Sequence, residues 1–85
     1  MAFKFSILGI ILRVGLSPHQ TLGRNVSRLR NQASLTQEQL AEKSEISRGF
    51  LQEIEKGGKN PTINVIVRLK KALACTWVEL LHGIE

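Results

Sequence analysis

Four side chains within nine residues offer the chemistry of base recognition: Arg48, Gln52, Glu53 and Lys56. Taken as a helix with Leu51 and Ile54 turned inward, the stretch from Ser47 to Lys56 carries Gly49, Gln52, Glu53 and Lys56 on its opposite face. Arg48 sits on the leading flank of that face. A guanidinium can donate two hydrogen bonds to guanine O6 and N7, and a glutamine amide matches adenine by a similar two-point contact. Gly49 would let the helix backbone approach a base edge or a thymine methyl. Glu53 has two readings, as an acceptor for a cytosine amine or as a negative charge that repels phosphates in wrong registers. Lys56, Lys59 and Asn60 run from the helix into a loop and suit phosphate oxygens, contacts that position a protein without reading sequence.

No enzymatic constellation accompanies this set. His19 and His82 lie near opposite ends of the chain, without metal-ligand spacing. The glycines do not form a phosphate-cradling loop after a strand. The chain has no aspartate, which removes most schemes of metal-assisted hydrolysis. A single cysteine, Cys75, excludes an intramolecular disulfide and fits a reducing cytoplasm; its place between two apolar segments suits a small core residue. The expectation is a non-enzyme without metal, cofactor or small-molecule ligand.

The elements that must position these side chains are short helices. From Thr36 to Lys56 the sequence TQEQLAEKSEISRGFLQEIEK has the helical period, with apolar positions at Leu40 and Ala41 and again at Leu51 and Ile54. Ser44 to Ser47 leaves room only for a sharp turn. Thr36 with Gln39 forms a capping box, and Ser47 is a second N-cap. Two helices across such a turn make a helix-turn-helix, whose second helix can enter a DNA major groove. The first of the pair, about 37–43, is expected to turn its N-terminal amides and the Gln37 side chain outward, where unpaired N–H groups suit a phosphate. Upstream, Ser17, Pro18 and Gln20 start a helix whose Leu22, Val26, Leu29 and Ala33 share one buried face. Arg24 and Arg28 lie on another face, suited either to phosphate or to solvent. Downstream, Gly57 to Pro61 is a loop. Thr62 caps a fourth helix with Val65, Ile66, Leu69, Ala72 and Leu73 inward. Thr76 with Glu79 boxes a last helix that Gly83 ends. Phe50 is expected to pack beside the fourth helix, while Trp77, Leu80 and Leu81 are open between core and dimer surface.

The stretch from Leu29 to Leu81 resembles the Cro/CI (XRE-type) helix-turn-helix family of bacterial and phage regulators. The residues that carry the resemblance are Gln37, Leu40-Ala41, Ser47, Glu55-Lys56-Gly57, Asn60-Pro61 and Leu80-Leu81, and the match covers about three quarters of the chain, from Leu22 to the end. One departure stands out: Glu45 occupies a turn position where the family usually has glycine. A side chain at positive φ costs on the order of 1 kcal/mol, so the turn is strained or differently shaped. The resemblance implies an all-α, five-helix lambda-repressor-like domain over 17–85. It implies an ion pair between Arg30 and Glu55 that fixes the first helix against the third. It also implies DNA contacts from Gln37, Ser47, Arg48, Gly49, Gln52, Glu53, Lys56, Lys59 and Asn60.

Size and charge agree with a small nucleic-acid binder. A chain of 85 residues buries roughly 60% or slightly more of its unfolded surface, marginal for a lone monomer, so a homodimer is expected. Net charge is +5, a balance that favours polyanions. Its distribution is uneven. Residues 36–60 hold four basic and five acidic side chains, and the remainder holds eight basic and two acidic, so spacing rather than charge points to the helix-turn-helix. Residues 1–16, MAFKFSILGIILRVGL, form an N-terminal extension whose apolar run falls far short of the roughly 20 residues of a membrane helix. It is read as a dimerisation arm, with packing on its own domain or disorder as alternatives. The function expected is a cytoplasmic, nucleoid-associated regulator that binds double-stranded operator DNA as a dimer. The alternative is a protein-interaction or antitoxin-like module on the same scaffold.

Overall fold

The computed structural model describes residues 16–84, so the expected arm falls almost wholly outside the described residues. Five helices follow one another: α1 (Pro18–Gln32), α2 (Gln37–Ser44), α3 (Arg48–Lys56), α4 (Ile63–Leu73) and α5 (Trp77–Leu80). Each begins at a hydroxyl residue in extended conformation, namely Ser17, Thr36, Ser47, Thr62 and Thr76. The cap oxygen accepts from the backbone N–H three residues on, an otherwise orphaned donor. In α1, α2 and α5 the third residue answers in kind. Gln20, Gln39 and Glu79 accept from the cap backbone N–H at 2.8, 2.9 and 2.9 Å. Ser47 is the cap of α3, as its sequence context suggests, and α2 runs one residue past Lys43 to the buried Ser44.

The helix ends are less regular. Gly57 closes α3 in the left-handed region at φ 79°, where glycine bears no steric penalty. Ser34, Glu45 and Ala74 adopt the same region at φ 57°, 59° and 51°. The α2–α3 turn thus keeps the left-handed shape despite Glu45. Backbone bonds from Glu45 N–H to the Glu42 carbonyl and from Ile46 N–H to the Ala41 carbonyl hold it there. Those bonds offset a conformational cost of roughly 1–2 kcal/mol.

The core gathers one stripe from each helix: Leu22, Val26 and Leu29 from α1, Leu40 and Ala41 from α2, Leu51 and Ile54 from α3, Leu69 and Leu73 from α4, Leu80 from α5. Phe50, Val65, Ile66, Ala72 and Cys75 pack against it, half-buried. Ala33, expected on the buried face of α1, is exposed. It caps the C-terminus, where the left-handed Ser34 carries the chain away from the stripe. The Cys75 thiol leans toward the Lys70 carbonyl, and its pKa is raised chiefly by burial and then by Glu79. Among the described residues no helix is long and apolar enough to cross a membrane.

Two contacts set the angle of α1. Gly23 is buried where α1 crosses α3, and a Cβ built on it would fall on the Ile54 carbonyl oxygen. Asn25, 6% exposed, donates from its side-chain amide to the carbonyls of Leu80 and His82, both at 2.8 Å. That amide satisfies the C-terminal carbonyls of α5, a helix too short to be stable alone.

Candidate nucleic-acid interface

α3 is held from behind and left open in front. Leu51 and Ile54 are fully buried and fix its roll, while Arg48, Gly49 and Lys56 are exposed on the other side. Nothing lies within 4 Å of a Cβ built on Gly49, so the described protein does not cover the leading end of this face. Lys59 and Asn60 continue the exposed strip beyond Gly57 and Gly58. Ser47 spends its hydroxyl on the cap, accepting from Phe50 N–H at 3.1 Å. Its place at the leading edge is therefore structural as well as presenting. Glu53 is half-buried and folds toward the end of α3; a Cβ on Gly58 would stand 2.8 Å from its Oε2. Its charge sits at the trailing end of the face, beside Lys56.

Behind this face runs a chain of polar side chains. Arg30 donates to both carboxylate oxygens of Glu55, from Nε at 2.8 Å and from Nη2 at 3.1 Å. A third bond runs from Nη1 to the Leu35 carbonyl, at 2.9 Å. The two charged side chains are 14% and 7% exposed, so the pair is largely out of water. A two-point contact of this kind fixes orientation as well as distance. It ties α1 both to α3 and to the α1–α2 turn.

Gln37 is placed differently from the sequence expectation. Its side chain turns inward, donating to Glu55 Oε1 at 3.1 Å and accepting from Gln52 Nε2 at 3.4 Å. The physical reason is the carboxylate: an acceptor-only group with a free lone pair next to the start of α2 draws the nearest amide to itself. Gln37 and Gln52 are both half-buried and form the seam between α2 and α3. Of the arginines on α1, Arg28 reaches the Glu79 carbonyl at 3.2 Å, which ties it to α5, whereas Arg24 is exposed.

Sequence reasoning passed over Gly23 and Asn25, which hold α1 in place for the Arg30 contact. A glycine in the middle of an amphipathic helix signals a close backbone approach, so Gly23 was legible. No local pattern marks Asn25. Among the described residues no group of three metal-ligating side chains is placed to hold an ion.

Comparison with known proteins agrees with this geometry. A family model described as helix-turn-helix matches residues 26–80. The chain is 39% identical over 59 residues to an uncharacterized HTH-type transcriptional regulator, y4dJ, of Sinorhizobium fredii; the match spans 69% of this chain and 77% of that one. It is 37% identical over 62 residues to the control protein C.SmaI of Serratia marcescens, spanning 73% of this chain and 74% of the relative. Among solved structures, the restriction-modification controller protein C.AhdI from Aeromonas hydrophila superposes with a TM-score of 0.70 at 31% identity, covering 73% of this chain and 94% of that one. With five capped helices, a buried two-point ion pair behind α3 and an open polar face before it, the chain belongs to the Cro/CI (XRE-type) family of helix-turn-helix transcriptional regulators.

Proposed function

We propose that this regulator binds operator DNA as a two-fold dimer, with α3 of each subunit in successive major grooves about 34 Å apart. What carries the reading is the open face of α3. Arg48 and Gly49 stand exposed at its leading end, and the helix is clamped behind by Leu51, Ile54 and Glu55. Arg48 and Gln52 read base edges, Gly49 admits a close approach, and Lys56, Lys59 and Asn60 hold phosphates. Gln37 and Ser47, at the N-termini of α2 and α3, bound the same surface. Support for a dimer comes from α5 and its C-cap, where Trp77, Val78 and Leu81 are 42%, 78% and 38% exposed. Large apolar side chains left exposed close together in sequence on a small domain suit an interaction surface. Lys70 lies over the Trp77 ring, 5.3 Å from its centroid, and covers only part of it.

Selection of bound fragments from a random duplex pool tests the reading. The expected product is a palindrome whose half-sites lie one helical turn apart. Two lysines per subunit on phosphates predict that log Kd changes with log salt by a slope of about 3.6 or more, since about four phosphates are neutralised. Binding insensitive to salt, or no enriched duplex, would instead favour an interaction module on the same scaffold.

A further inference from the structure

We propose that Asn25 and Arg28 are positioning residues for dimerisation: from α1 they hold α5 so that its apolar side chains face a second copy. The inference rests on the dimer reading above and adds the contacts on which that surface depends. α5 has four residues and buries only Leu80, while Trp77, Val78 and Glu79 are exposed. A helix of that length has no stability of its own, and one buried side chain does not fix its roll. Its N-terminal end is settled locally, by the capping box of Thr76 and Glu79. Its C-terminal end is settled from α1. The Asn25 amide donates to the carbonyls of Leu80 and His82, both at 2.8 Å, and Arg28 Nη2 donates to the Glu79 carbonyl at 3.2 Å. These are carbonyls that the end of a helix leaves without a backbone partner.

The contacts have a common register. Gly83 turns in the left-handed region at φ 81°, where a Cβ built on it would stand 3.5 Å from Thr21 Cγ2. Thr21, Asn25 and Arg28 are spaced i, i+4 and i+7, so they form one face of α1, and residues 79–83 run back along it. With that end tied down and Leu80 inward, Trp77, Val78 and Leu81 are presented outward as a set. Asn25 is committed to this task. It is 6% exposed, both its N–H groups are used, and its oxygen lies 3.5 Å from Arg28 Nη2. Asparagine is a poor choice for a buried helix interior, so its cost to α1 is offset by the bonds to α5. α3 is fixed by other contacts, namely Leu51, Ile54 and the Arg30–Glu55 pair. The surface for DNA and the surface for a second copy thus depend on different α1 side chains, and loss of Asn25 should uncouple pairing from half-site recognition.

The experiment uses the full chain and compares wild type with Asn25→Leu, Arg28→Met and Val78→Glu. Leucine favours a helix and removes both amide donors. Sedimentation over a dilution series gives the dimer dissociation constant. Titrations of the selected palindrome and of a duplex with one half-site give the two DNA affinities. Asn25→Leu takes two hydrogen bonds from each of two subunits and should raise the dimer dissociation constant at least about 10-fold. Arg28→Met removes one more exposed bond per subunit and should raise it about 2- to 10-fold. In both variants half-site affinity should stay as in wild type while the advantage of the palindrome shrinks. Hydrogen exchange should quicken at the Leu80, Leu81 and Ile84 amides, which are bonded within α5 and its exit, and stay unchanged in α3. Val78→Glu, which alters the surface itself, should also abolish pairing. Asn25→Leu pairing as tightly as wild type overturns the proposal. So does a half-site affinity that falls together with pairing, the mark of a general role in the fold or of a phosphate contact at Arg28. If Asn25→Leu does not fold, Arg28→Met decides by the same two readouts. Val78→Glu pairing as wild type places the dimer surface elsewhere and overturns the proposal. A wild type that stays monomeric at every concentration, with no gain on the palindrome, would instead sink the dimer reading itself.

Discussion

Removing Arg30 isolates how much of the domain depends on one pair of charges. In Arg30→Ala, Glu55, whose side chain is 7% exposed in the intact fold, loses both guanidinium bonds and retains only the Gln37 amide. An exposed ion pair would be worth 0–1 kcal/mol. This one is largely desolvated, and stranding one partner of a buried pair costs about 3–5 kcal/mol. The remaining amide bond and the residual exposure reduce that to about 2–4 kcal/mol. The Leu35 carbonyl also loses its side-chain donor, which adds to the loss. An 85-residue domain has a total stability of only about 4–13 kcal/mol, so the variant sits close to the edge of folding. Urea unfolding followed by circular dichroism, at fixed protein concentration because dimerisation would shift the midpoint, measures the difference. The melting temperature should fall by about 10–25 °C. A double variant, Arg30→Met with Glu55→Leu, should recover most of the loss, because two apolar side chains leave no stranded charge. The reasoning is wrong if Arg30→Ala costs less than about 0.5 kcal/mol, or if the two single substitutions simply add in the double.

Further outcomes follow from other parts of the fold. Gly23→Ala should destabilise by about 1–3 kcal/mol or more, because the added methyl meets the Ile54 carbonyl; a melting temperature equal to wild type would show that α1 and α3 can separate freely. Replacing Ser34, Glu45 or Ala74 with glycine relieves a left-handed side chain at an exposed site, and each should add a few tenths to about 1 kcal/mol in calorimetry. A loss at Glu45 would mean that its side chain contributes more than its backbone costs. At α5 the Thr76 backbone N–H, followed by its hydroxyl, holds the Glu79 carboxyl below the usual carboxylate range. The folded state then binds fewer protons than the unfolded one there. This contribution is fully present above the ordinary carboxylate pKa and is lost as pH falls through the lower folded value. Glu79→Gln should flatten that acid limb in a stability–pH profile; an unchanged limb refutes the assignment. For DNA, Arg48→Ala should relax base preference at one position, while Lys59→Ala should weaken all duplexes alike and reduce the salt slope by about 1 per subunit in competition titrations.

Much of the architecture was written locally. Ser17, Thr36, Ser47, Thr62 and Thr76 each mark a helix start by themselves, because a cap bond joins residues three apart and needs nothing from the rest of the chain. The inward stripe of α3 and its polar face followed from the period of 3.6, since neighbours on a helix are set by rotation alone. What sequence order did not contain is contact between residues far apart in the chain. Asn25 serves carbonyls 55 and 57 residues away, and no short-range pattern announces a polar side chain spent on such partners. Gln37 read as an outward helix-start residue until the third helix brought Glu55 beside it. A carboxylate placed by packing decides which end of a neighbouring amide faces it, and only the assembled fold can place that carboxylate.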